Sequence, residues 1–268
     1  MIAFFITVPI ITYLSMIAFQ RMNLGVKNYE GKDVPYSLGV LIIYSYSFLY
    51  AFPPQINPTF SFASFIFLLS IWLLGLIDDV YGNPYPKGLK GHLLFFLKNH
   101  IVTTGLLKAG GTVLAAVLFL WLSEPRSYLG YLIAFLLLTG LPHVMNLFDT
   151  RPLRVWKLAV SLTVLVIIAN PIPSFLFILM LLTVFYIWFV LEGYRKAMLG
   201  DNGATVVGAI LAVVIVNHVS LTVQYSFLVF VLVMILVAEK YSFSAFIEKS
   251  RFLKVIDQIG IINKDKRC

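Results

Sequence analysis

Long apolar runs separated by short polar stretches recur nine times between residues 1 and 239, at roughly 1–19, 36–52, 60–77, 101–122, 129–146, 156–170, 175–191, 203–219 and 225–239. Several approach the ~20 residues a helix needs to cross hydrocarbon. The spacing predicts an all-α integral membrane bundle of about nine transmembrane helices. The first run has no basic residue before it, and Arg21 follows it. A cleaved signal peptide carries its positive charge ahead of the apolar core, so the run reads as an anchor with its N-terminus outside. After residue 239 the pattern changes, and 240–268 is too polar to span. There Phe243, Phe246, Ile247, Phe252, Leu253, Val255, Ile256 and Ile259 recur with rough helical spacing beside Lys249, Arg251 and Lys254. That spacing predicts an interfacial helix against anionic lipid. The chain therefore divides into a transmembrane unit, 1–239, and a basic tail, 240–268.

Composition narrows the class. Apolar residues make up 60% of the 268, charged residues only 12%, and the mean hydropathy is +0.92, the balance of a polytopic membrane protein. A single cysteine, Cys268, excludes an internal disulfide framework and a cysteine metal site. A net charge of +8 would suggest nucleic acid in a soluble protein, but its placement points to a membrane. Cytoplasmic loops collect Lys and Arg. With the N-terminus outside, those loops receive Arg21, Lys27 and Lys32, then Lys87, Lys90 and Lys98, then Arg151, Arg154 and Lys157, then Arg195 and Lys196. The outside loops hold only Arg126, and Pro53-Pro54-Gln55 and Asn170-Pro171-Ile172-Pro173 are uncharged turns. Of the twelve acids only Glu124 falls outside. Polar work is thus expected at the cytoplasmic face of a cell membrane, with the C-terminus inside and no nucleic acid partner.

Candidate chemistry gathers at the span ends on that side. Asp78 and Asp79 close an uncharged run, where paired acids suit a divalent cation near phosphates better than they suit packing. A loop rich in turn formers and lysine is expected from Asp79 to His92. Lys108 lies 14 residues before Leu122, about 21 Å along a helix. In a core of ~30 Å it is an ionisable group below the headgroups, a functional candidate whose partner is a phosphate or the aspartates. Asn146-Leu-Phe-Asp149 ends the fifth run and leads into Arg151, Pro152 and Arg154; His143, a turn earlier, is expected to be buried and hydrogen-bonded. Gly200-Asp201-Asn202-Gly203 precedes the eighth run, where glycines allow close approach and helix amides favour anions. Singly, each reads as a cap or an acidic helix end. Together, three acid-bearing motifs at the ends of three spans, with a semi-buried lysine, point to one site.

These motifs resemble those of the polyprenyl-phosphate N-acetylhexosamine-1-phosphate transferases. Asn28 to Gly39, with Lys32 and Pro35, resembles the first cytoplasmic loop of that superfamily. Gly75-Leu-Ile-Asp78-Asp79 resembles its Asp-Asp motif and Gly105-Leu-Leu-Lys108 the lysine-bearing start of the next span. Asn146-Leu-Phe-Asp149 resembles its Asn-x-x-Asp motif and Gly200-Asp201-Asn202-Gly203-Ala204 its Gly-Asp-x-Gly-Ser motif. The resemblance implies transfer of a sugar 1-phosphate from a UDP-sugar to undecaprenyl phosphate with release of UMP. It implies Mg²⁺, with Mn²⁺ as a substitute, and allows for a homodimer. It assigns Asp78, Asp79, Asp149 and Asp201 to catalysis and Asp201 and Asp79 to the metal. Lys32, Lys108, Asn146, Arg151, Arg154 and Asn202 are assigned to substrate. The chain departs from the family pattern in showing nine spans where ten are usual, in lacking a histidine-bearing loop, and in carrying Pro152 and Met198 where an aspartate and an aromatic are usual. A catalytically inactive lipid-phosphate binder or scaffold is the rival reading. A transporter, whose coupling acids should lie at mid-membrane, fits these rim positions poorly.

Overall fold

The computed structural model describes residues 1–27, 31–53, 58–82, 88–241 and 243–262, with the backbone alone at 88–90. Asn28 to Glu30 of the first loop, Pro54-Gln55 of the expected turn, Asn83 to Lys87 and the tail end with Cys268 lie outside the described residues. The chain is 79% helical. Among the described residues, nine helices follow the nine apolar runs: α1 (Ile2–Arg21), α2 (Leu38–Ala51), α3 (Phe62–Tyr81), α5 (Thr104–Leu122), α6 (Tyr128–Phe148), α7 (Arg154–Ile168), α8 (Phe175–Gly193), α9 (Gly200–His218) and α10 (Leu221–Lys240). Seven of them are long and apolar enough to cross a membrane, which makes the chain a multi-pass α-helical membrane protein. The exceptions are α2, with 14 residues, and α7, with 15, both short of the ~20 needed. The helix α4 (Gly88–Asn99) occupies part of the region expected to be a loop. A two-stranded antiparallel ribbon, β1 (Gly25–Lys27) with β2 (Asp33–Pro35), joins α1 to α2. The tail forms α11 (Phe243–Lys249) and α12 (Arg251–Gln258), broken where Ser250 caps α12 by accepting the Leu253 N–H.

The bundle is built around α9, which is 78% buried where α8 is 17% and α10 is 22%. Its closest neighbours are α3 and α6. Small residues make this possible, because packing in lipid rests on close backbone approach. A Cβ on Gly208 would sit 2.7 Å from the Leu141 carbonyl carbon and the Pro142 Cα of α6. A Cβ on Gly75 of α3 would sit 2.6 Å from the Asn202 Cα. A helix buried this completely must have its end groups satisfied by its neighbours. At the C-terminus of α9, Arg126 donates to the Val216 carbonyl at 2.8 Å and to Asn217 Oδ1 at 3.0 Å, and Gln224 donates to the Val219 carbonyl at 2.8 Å. Arg126 thus caps the negative end of the central helix dipole. The N-terminus of α9 lies at the opposite, charged end of the bundle, where the acids gather.

Candidate functional site

Three helices deliver the central cluster. Asp78 and Asp79 stand in the last turn of α3, one turn beyond the Gly75 contact that presses α3 against α9. Lys108 stands one turn inside α5, whose start is fixed by Thr103 accepting the Leu106 N–H at 3.3 Å. Asp201 opens α9, after Gly200 with φ +65°. That left-handed conformation suits glycine, and a side chain there would strike Tyr36 and the Asp79 carboxylate. The Lys108 ammonium lies 2.6 Å from Asp78 Oδ2 and also pairs with Asp201. Residues 78, 108 and 201 therefore share one small volume at the charged end.

The two adjacent aspartates have divided roles. Asp79 turns away from Lys108 and accepts the backbone N–H groups of Asp201 and Asn202, each at 2.8 Å, and the Asn202 side-chain amide at 2.6 Å. It is an N-cap supplied from another helix, the role a side chain at the helix start usually fills. A carboxylate at that point also complements the helix dipole. Asn202 is fully buried and donates as well to the Tyr36 carbonyl at 3.0 Å, so it acts as a strut between α3, α9 and the β2–α2 junction. The metal role expected of Asp79 and the substrate role expected of Asn202 thus fall on groups committed to holding α9. The freer pair is Asp78 and Asp201.

Asp149 belongs to a neighbouring feature. It caps α6 and lines a polar cavity of about 150 Å³ with Lys27, Arg151, Glu192, Arg195 and Met198 among others. Burial, reinforced by the carboxylates of Glu192, Asp201 and Asp79, pushes the Asp149 carboxyl well above the ordinary range. A carboxyl so placed holds its proton to higher pH than an ordinary aspartate. Glu192, which sequence reasoning passed over, is 3% exposed. It accepts from Trp188 Nε1 at 2.7 Å and from the backbone N–H groups of Leu153 and Leu199, tying the starts of α7 and α9 to the end of α8. Leu153, buried and left-handed at φ 63°, is held by that contact. The sequence signal was available, since Glu192 directly follows the uncharged apolar run 175–191.

The remaining sequence-predicted residues fall elsewhere. Asn146 lies in the last turn of α6 with a buried side-chain oxygen that meets no partner. Lys32 is exposed beside the ribbon, and Lys27, across it, lines the cavity instead. Arg154, expected on substrate phosphates, is 4% exposed and forks Asp257 of the tail at 2.6 and 2.8 Å. Arg151 pairs with Glu248 of the tail. His143, expected to be buried, lies on the exposed surface of α6. Among the described residues, no three His, Cys, Asp or Glu side chains are arranged to hold a metal. No family model, curated protein or solved structure matches this chain.

Proposed function

We propose that this chain transfers an N-acetylhexosamine 1-phosphate from a UDP-sugar to undecaprenyl phosphate or a related polyprenyl phosphate, releasing UMP, at the cytoplasmic face of the cell membrane. The observation that carries this reading is the Lys108 ammonium held between Asp78 and Asp201 at one end of the bundle. In the reaction, an oxygen of the lipid phosphate attacks the phosphorus that bears the sugar. A new phosphorus–oxygen bond forms, the bond to the UMP oxygen breaks, and UMP leaves with that electron pair. Both substrates are anionic, so a fixed cation where the charge develops is the main electrostatic need. Lys108 meets that need on the leaving phosphate. Asp78, its carboxylate not committed to α9, orients the lipid phosphate and takes its proton when it is protonated. Asp149 shapes the adjoining cavity for the nucleotide together with Asn146.

The donor set suits Mg²⁺, which binds through one or two carboxylates and completes its shell with waters and substrate phosphates. Asp78 and Asp201 would hold it, and when bound it screens the diphosphate charge. With only two carboxylates converging, tight Mg²⁺ binding is expected to require the nucleotide as well.

The test is Mg²⁺-dependent UMP release from a panel of UDP-sugars and undecaprenyl phosphate by the purified protein. Asp201→Asn should abolish release while the variant unfolds at close to the parent temperature. Equal rates in the two proteins would end the proposal. One observation favours the rival, a silent lipid-phosphate binder: Lys108 is already paired with both acids, so a substrate must displace one of those contacts. Binding of undecaprenyl phosphate without UMP release from any sugar nucleotide would decide for it.

A further inference from the structure

The tail is stitched to the wall of the polar cavity. Arg154 donates to both Asp257 oxygens, to Thr150 Oγ1 at 2.7 Å and to Ser244 Oγ at 2.8 Å. Lys157 donates to the Asp257 carbonyl at 2.7 Å, and the Ile262 N–H to the Gly193 carbonyl at 3.2 Å. The Phe243 ring stacks on Phe148 at 4.6 Å. The segment so clamped, 149–157, carries Asp149, Thr150, Arg151 and Pro152 of the cavity and the left-handed Leu153. Arg154 is buried, and removing Asp257 would strand a desolvated guanidinium, a strongly unfavourable state. The tail and the cavity wall must therefore order together.

The outer side of α12 is exposed among the described residues. On α12 and its C-cap residue, Phe252, Val255 and Ile259 are 72%, 62% and 58% exposed and, with Ile256, form one stripe at helical spacing. The tail begins two residues after α10, an apolar helix long enough to span, so this stripe lies at the level of a membrane surface. Glu248 and Asp257 are taken up by Arg151 and Arg154, which leaves Lys249, Arg251 and Lys254 as the outward charges of α11 and α12. An apolar stripe flanked by uncompensated cations fits a lipid surface of negative charge.

We infer that α11 and α12 form a docking surface for anionic phospholipid, and that this docking orders the cavity wall at 149–157 through the Arg154–Asp257 fork. The membrane's charge thereby regulates the polar cavity beside the acid cluster. Regulation of that cavity matters to catalysis only under the transferase reading, but the docking and ordering are measured without it.

The experiment is hydrogen–deuterium exchange on the full chain in nanodiscs of phosphatidylcholine alone or mixed with phosphatidylglycerol. Phosphatidylglycerol should slow exchange in both 243–262 and 149–157. Three cations acting near an anionic surface favour the docked tail by on the order of a hundredfold. Replacing Lys249, Arg251 and Lys254 together by Gln should erase the difference between the two lipids. Asp257→Asn should leave the tail lipid-sensitive but uncouple 149–157 from it. Equal exchange in the two nanodiscs would overturn the proposal, as would a tail that responds while 149–157 of the parent does not. Protection that follows protein concentration rather than lipid charge would identify the surface as a contact between two copies and also overturn it. Failure to release UMP leaves all of these readouts in place, so the two proposals fail separately.

Discussion

Asp79→Ala tests how the acid cluster is built. The parent carboxylate satisfies three N–H donors, two from the first turn of α9 and one from Asn202. Alanine leaves the two backbone N–H groups without that partner, and the Asn202 amide with the Tyr36 carbonyl alone, at the end of a helix that is 78% buried. A buried donor left unpaired costs about 1–3 kcal/mol, and loss of an N-cap alone costs about 0.5–2 kcal/mol. Because Asp79 lies near a rim that water can partly reach, the combined loss should be about 3–5 kcal/mol. At about 2–4 °C per kcal/mol for a chain of this size, the unfolding midpoint should fall by about 6–20 °C. The assay is thermal unfolding of purified parent and variant in the same detergent. Asp79→Asn retains one accepting oxygen and should fall between them. Asp78→Asn leaves the cap untouched, and Lys108 keeps Asp201, so its midpoint should move far less while UMP release drops. An Asp79→Ala protein that unfolds at the parent temperature would show that this carboxylate does not hold α9.

Gly75→Ala would place a methyl group 2.6–2.8 Å from backbone atoms of Asp201 and Asn202, forcing α3 from α9. Overpacking of that kind costs about 1–3 kcal/mol and should lower both the unfolding midpoint and any UMP release. Asp149 has its folded-state pKa raised above the ordinary ~3.9 of an unfolded aspartate. Its stabilising contribution is therefore complete below about pH 4 and is lost as pH rises through the raised value. Asp149→Asn should flatten this decline of stability with pH, and an unchanged slope would contradict the assignment. Arg126→Met removes the donors to the Val216 carbonyl and Asn217 at the far end of α9 and should destabilise by about 1–3 kcal/mol in the same unfolding assay.

Much of this was legible along the chain, because lipid imposes a simple requirement. A spanning segment must be long, apolar and helical, so α1, α3, α5, α6, α8, α9 and α10 could be read from runs of uncharged residues. Lys108 and the three acid motifs stood out because ionisable groups are costly near hydrocarbon and are kept where they have partners. The convergence of Asp78, Lys108 and Asp201 followed from motifs at the ends of alternating spans. The short α2 was read as a span because flanking residues extended its apolar run to 36–52, while the run at 156–170 has the same length of 15 residues as α7, shifted by two. α4 went unread because Gly88 and Gly91 are poor helix formers and the turn formers before them made the stretch read as a loop.

Individual roles within the cluster depended on direction, which one-dimensional spacing does not contain. Asp78 and Asp79 are chemically identical neighbours, but successive side chains on a helix point about 100° apart. One therefore meets the Lys108 ammonium and the other meets the amides of α9. The same holds for Arg154, which any reading of charge near phosphate motifs would place on substrate. Its partner, Asp257, lies 103 residues away and reaches it only because the tail folds back across the start of α7. Residue type and periodicity set the membrane class and the inventory of acids, since those depend on hydration energy alone. Which acid is structural, which cation is spent, and where Glu192 joins three helices were set by contacts between segments distant in the chain.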